Sequence, residues 1–138
     1  MALTPPDKLL RFVSPKPDFI GDDGNPTWRA LEPSSEDKRQ TPVSVSVWNL
    51  SACTGPDARA AWSRPNYAEF TLSVADVLDA QRHWGMPAVR VVEVPRRGDT
   101  PADKAHCGIE GLDKQSGEGK SYGARLSFLT SRLRPFRD

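Results

Sequence analysis

Through VSVSVWNL, residues 43 to 50, Val43, Val45 and Val47 alternate with Ser44, Ser46 and Trp48. A period of two belongs to a β-strand, here with one apolar face and one face that carries hydroxyls. LLRFVS (9–14) is a short apolar run that reads as a strand, and TWRALEP (27–33) alternates weakly through Trp28 and Ala30. AVRVVEV (88–94) is a β-branched strand, and AHCGIEGL (105–112) reads as one more. The period changes at Ser73. From there Val74, Val77, Leu78, Gln81 and Trp84 trace one mostly apolar helical face, with Ser73 placed as the cap and Asp76 three residues on. Leu72 and Val77 stand at the spacing of a hydrophobic staple, and Gly85 sits where a helix of this length stops. A closing helix is predicted over 122–134, with Tyr122, Leu126, Leu129 and Leu133 on one side, and a helical turn over 58–62.

Thirteen prolines separate these pieces. Proline serves neither a helix interior nor a central strand, so PKPDFIGDDGNP (15–26) and PRRGDTPAD (95–103) read as loops. SSEDKRQTP (34–42) reads as a polar loop whose charges face water. The order is strand, strand, strand, helix, strand, strand, helix, and only one connection is long enough for a helical crossover between parallel strands. The economical architecture is α+β: a small mixed or antiparallel sheet of about five strands with two helices packed on one face. A chain of 138 residues has material for one core, which predicts a single domain over 1–138 with a loose arm at 1–7.

Charge narrows the choice of partner. Nineteen basic and 18 acidic residues leave a net +1, so no global field draws in nucleic acid, and any such contact needs a local patch. Four Trp and five Phe are more than a disordered chain carries. The opening MALTPPDKLLRFV lacks the basic start and apolar core of a secretory signal, and no apolar run approaches a membrane span. Cys53 and Cys107 are far apart and neither has a CxxC neighbour, which argues against a disulfide framework or a zinc knuckle. A reduced, cytoplasmic setting without membrane contact is the expectation, and the Arg-rich basic set points to a bacterial source.

The stretch GEGKSYGARLSFLTSRL (117–133) looks like the end of a phosphate-binding loop entering its helix. Such a loop needs glycine five positions before Gly119, and Lys114 stands there instead. A glycine turn launching the closing helix is predicted, with Lys120 near the rim of any small-molecule site on the polar face of the strand that bears His106 and Glu110. In AHCGIEGL, alternation sets His106, Gly108 and Glu110 on one face and Cys107 and Ile109 on the other. An imidazole and a carboxylate on one face, with glycine between them leaving room for a ligand, are the best candidates for acid–base chemistry. A solvent-facing polar pair is the alternative. Cys107 faces away from His106 and is expected as a buried small hydrophobe rather than a nucleophile. His83, late in its helix, suits the negative end of the dipole. Two histidines without ligand spacing predict no metal site, and no cofactor is expected. Lys120, Arg125 and Arg132, followed by Arg134 and Arg137, offer a local basic patch for phosphates or an acidic partner. Arg125 and Arg132 are seven apart and would share a helix face, which solvation alone also explains.

LLRFVSP, SVSVW and AHCGIEG together resemble a group of small bacterial proteins of unknown function that share an Ala-His-x-x-Ile-x-Gly strand. No activity comes with that likeness. Arg11, Ser44 or Ser46, and Glu110 also resemble the layout of the RES-type NAD-degrading toxins of the ADP-ribosyltransferase-like class. The resemblance implies that Arg11 grips the pyrophosphate of NAD and that Glu110 stabilises the oxocarbenium-like ribose as nicotinamide leaves. That family's Gly-Gly-Arg-Trp-Asn stretch is here only GNPTWRA (24–30). Two functional expectations follow. The leading one is a non-catalytic binding module for a protein, or for nucleic acid through the basic patch, using Trp48, Lys120, Arg125 and Arg132 and an exposed apolar patch around Trp28, Trp48 or Trp62. The other is a small enzyme acting on NAD or another nucleotide, in which Arg11, His106 and Glu110 must converge on one cleft.

Overall fold

Six strands lie in one antiparallel sheet: β1 (Lys8–Val13), β2 (Ser44–Asn49), β3 (Ala68–Ser73), β4 (Arg90–Glu93), β5 (His106–Glu110) and β6 (Arg134–Pro135). Their order is β4-β5-β2-β1-β3-β6. The connections include helices α1 (Gly55–Ala61), α2 (Val74–His83), α3 (Pro101–Ala105) and α4 (Tyr122–Thr130). This computed structural model describes residues 3–62, 64–115 and 119–136. The fold is α+β, as the pattern predicts.

Both faces of the sheet are covered, and that is why β1 reads as a nearly unbroken apolar run. Leu9 and Val13 enter a core with Val45, Val47, Cys107 and Ile109 beneath α2 and α4. Leu10 and Phe12 enter a second core on the opposite face, with Trp48 under α1 and α3. The two predicted helices therefore share one face, while two short helices close the other through Ala58, Ala102 and Ala105. Helix α1 overlaps the helical turn expected over 58–62 and starts before it, while α3 lies in a segment that reads as loop. Their start signals are nonetheless present, since Thr54 with Asp57 and Thr100 with Asp103 form capping boxes and each helix carries proline in its first turn.

Helix α2 starts where the period changes. The Ser73 hydroxyl accepts from the Asp76 N–H at 3.1 Å, Asp76 Oδ2 accepts from the Ser73 N–H at 2.9 Å, and Gly85 ends the helix at φ 70°. Elsewhere the boundaries move. Residues 27–33 form turns rather than a strand, with Ala30 N–H donating to Thr27 O and Glu32 N–H to Arg29 O at 3.0 Å each, although Ala30 and Leu31 are still buried. Strand β3 occupies residues not read as an element, because its alternation runs straight into α2. Helix α4 stops at Thr130, short of 134, and Arg134–Pro135 pairs with β3 as an edge strand.

In the GEGKS stretch, residues 116–118 lie outside the described residues. Gly119, at φ 85°, presses on the Gly85 carbonyl so closely that any Cβ there would collide with it.

The functional geometry begins where β1 leaves β2. β1 pairs with β3 along its whole length, Lys8 to Val13, but with β2 only at Leu9 and Leu10. Beyond Leu10 the two strands part, and a 3-10 turn, Asp37–Arg39, fills the opening.

Candidate functional site

Ser46 lies at the height where β2 has lost β1. Its N–H donates to Asp37 Oδ1 at 3.2 Å and its carbonyl accepts from Arg11 Nη1 at 3.1 Å, so two side chains stand in for the missing strand. Asp37 also accepts from the Ser46 hydroxyl at 3.1 Å and the Ser34 N–H at 2.8 Å. Arg11 Nη1 and Asp37 Oδ2 are 3.7 Å apart, and both residues are buried. Burial pulls the Arg11 guanidinium below its ordinary pKa, and the Asp37 charge opposes that shift. The expectation that the charges of 34–42 all face water thus fails at Asp37, which is 2 % exposed. Ser46, unpaired by β1, recruits the one carboxylate in the run that reaches it.

Arg11 lines a cleft of about 230 Å³ that Phe12, Phe19, Trp62 and Tyr67 also line. Lys16 and Arg64 stand exposed among its lining residues, with Arg64 Nη1 donating to Tyr67 Oη at 3.2 Å. Glu32 is the carboxylate of the cleft, and it is already engaged. Arg29 donates to its Oε1 from Nε at 3.2 Å and from Nη2 at 3.0 Å, and the Tyr122 hydroxyl donates to its Oε2 at 2.9 Å. Arg11 is balanced by Asp37 and Glu32 by Arg29, which leaves Lys16 and Arg64 as lining cations without a carboxylate partner in the lining, with the Glu36 charge acting on Arg64 from outside it. Arg11 Nε and Trp62 Nε1 are buried donors without a hydrogen-bond partner among the described residues.

The other expected catalytic residues are elsewhere. His106 is buried with its edge on Trp48, ring centroids 5.0 Å apart, and its Nδ1 lies 2.7 Å from the Val94 carbonyl. A carbonyl only accepts, so Nδ1 carries the proton. Burial pushes the His106 pKa down to about 4, against the pull of the Val94 hydrogen bond and with the help of Arg96. Glu110 is four residues along the same strand, roughly 13 Å away at ~3.3 Å per residue. Its Oε1 accepts from Arg90 Nε at 2.7 Å. Arg11, His106 and Glu110 therefore have different hydrogen-bond partners, and of the three only Arg11 lines the cleft.

The space expected at Gly108 belongs to Ser44. A Cβ on Gly108 would stand 2.5 Å from Ser44 Oγ and 2.6 Å from Ser44 Cβ. Gly108→Ala is expected to cost about 1–3 kcal/mol as overpacking. Thermal unfolding should show that loss, and Ser44→Gly in the same chain should recover most of it; no recovery would mean the collision is not with Ser44.

The expected binding residues also divide. Trp48 is 1 % exposed and lies in the core, because it is covered by α1 and α3, so it reaches no partner. Trp62 is half-buried, stacked on Phe12 at 5.3 Å and 13°, and Trp28 is exposed beside Tyr122, so the three tryptophans make no common patch. Arg125 is buried rather than solvated. Its Nη1 donates to the carbonyls of Gly111 and Asp113 and its Nε to that of Lys120, which ties the preceding loop to α4. Arg132 lies beyond the end of α4 and is paired with Asp76 and Asp79 of α2 at 3.3 and 2.9 Å. Lys120 is exposed, and Arg137 lies outside the described residues. The basic patch loses Arg125 to the interior and Arg132 to two carboxylates.

Compared with known proteins, the chain matches no family model, no curated protein and no solved structure. The site is read from its residues alone. Of them, only Arg11 was singled out in the sequence as an anion holder. Lys16 sits between two prolines and Arg64 before one, which marks them as loop cations, but nothing local says that their loops meet over Arg11. Cys107 is buried on the α2 and α4 side, as alternation predicts, and burial pushes its thiol up to about 12. Among the described residues no group of three His, Cys, Asp and Glu side chains is placed to hold a metal, and no helix is long and apolar enough to cross a membrane.

Proposed function

We propose that the protein is a non-catalytic binding module for a small organic anion, held in the cleft over Arg11. The observation that carries this reading is the charge of the cleft: Lys16 and Arg64 are exposed there while the carboxylate of Glu32 is taken up by Arg29 and Tyr122. Ligand-observed NMR with matched sets of small organic anions and neutral analogues tests it. Anions are expected to bind, and Lys16→Gln with Arg64→Gln is expected to weaken them about tenfold or more. Both side chains are exposed, so the double variant should fold as the parent does. Equal binding of anions and neutral analogues, or unchanged affinity in the double variant, overturns the reading. Incubation with NAD is expected to release no nicotinamide; release that Glu110→Gln abolishes would restore the ADP-ribosyltransferase-like reading.

A macromolecular partner has one observation in its favour. Trp28 and Trp84 are 45 % and 49 % exposed, and Trp28 shares a shallow hollow with Ser127 and Ser131 of α4. On this reading Trp28→Ser reduces capture of a defined protein or nucleic acid from host extract, while Lys16→Gln with Arg64→Gln leaves it intact. Capture that neither substitution affects counts against it.

A further inference from the structure

The size and walls of the cleft narrow the ligand, an inference that rests on the anion reading above. We propose that the occupant is a compact anion made of one aromatic ring and one carboxylate or phosphate group. A volume of about 230 Å³ equals roughly eight waters at ~30 Å³ each, which is room for on the order of a dozen non-hydrogen atoms. A dinucleotide is several times larger and cannot be enclosed. The walls are aromatic, with Phe19, Trp62 and Tyr67 contributing rings from two loops far apart in the chain. Trp62 is held by Phe12 stacked at 5.3 Å and by Tyr67, tilted at 5.5 Å, so this side of the cleft is set before any ligand arrives. Lys16 and Arg64 supply the counter-charge. A planar ring bearing an anionic group answers the walls and the charge together. An aliphatic acid leaves the aromatic walls unmatched, and a bare anion leaves most of the volume empty.

Titration calorimetry and tryptophan fluorescence on the full chain test the inference with 4-hydroxybenzoate, phenyl phosphate, cyclohexanecarboxylate, inorganic phosphate, benzyl alcohol and NAD. The two aromatic anions are expected to bind about tenfold or more tighter than the other four and to change the tryptophan emission. Phe19→Leu, on a half-buried loop residue, should weaken the aromatic anions about threefold to tenfold and leave inorganic phosphate unchanged. If cyclohexanecarboxylate or inorganic phosphate binds as tightly as the aromatic anions, the ring falls while the anion cleft stands. If NAD binds as tightly, the size argument falls. If benzyl alcohol binds as tightly, or none of the six binds at millimolar concentration, the anion reading falls with it.

Discussion

Acidification from pH 6.5 to pH 4 is expected to remove about 3 kcal/mol of folding stability through His106 alone. The imidazole is buried against Trp48 and held neutral, with its pKa pushed down to about 4, whereas in the unfolded chain it titrates at its ordinary value of 6.5. Between those two values the unfolded state binds a proton that the folded state refuses. The stabilisation is therefore whole above pH 6.5, declines as pH falls through the window, and is gone below about 4. Urea unfolding at pH 7, 6, 5 and 4 measures the slope. His106→Asn keeps a side-chain N–H for the Val94 carbonyl and removes the titrating ring. It should be less stable at pH 7, where ring packing is lost, and nearly level across the window. An equal slope in both proteins would clear His106 of the effect. Asp7, held below its ordinary carboxylate value by the Thr4 N–H and the Ser51 hydroxyl, loses its contribution below that value and so acts at the acid end of the range.

Removing the Asp37 carboxylate is the second large effect. Asp37→Ala leaves the buried Arg11 guanidinium without its counter-charge and orphans the Ser46 and Ser34 N–H groups, and losses of about 3–5 kcal/mol attend such breaks. A fall of about 10 °C or more in Tm is expected by calorimetry. Arg11→Met with Asp37→Ala should lose less than the two single substitutions summed, because the second change removes a charge the first has stranded. Strict additivity would show that the two residues do not act as a pair. A buried ion pair is a poor source of net stability, since desolvation offsets most of the attraction. What this one does is occupy the gap between β1 and β2, beside the cleft that Arg11 lines.

The remaining difference between β1 and its partners shows where sequence reading works. Lys8 to Val13 pair fully with β3, whose alternation was hidden by its run into α2. On the other side, the same residues pair with β2 only twice, and nothing in LLRFV marks the place where pairing ends. Asp37 sits in SSEDKRQ, where Glu36, Lys38, Arg39 and Gln40 are exposed as composition implies, and its burial depends on a backbone N–H brought by another strand. Trp48 misled in the opposite sense. It is expected in an exposed binding patch, but its face of β2 is roofed by α1 and α3.

Features decided within a few residues were legible in the chain. The cap at Ser73, the stop at Gly85, the alternation of β2 and β5 and the inward turn of Cys107 depend on local geometry, which repeats with a fixed period wherever the residues occur. Features decided by what lies opposite were not. Whether a polar face meets water or helices, whether His106 and Glu110 share partners, and whether Lys16, Arg64 and Trp62 meet over Arg11 are settled by chain segments far away in sequence. Periodicity sorts side chains onto faces, but burial and charge pairing belong to the neighbours that folding supplies.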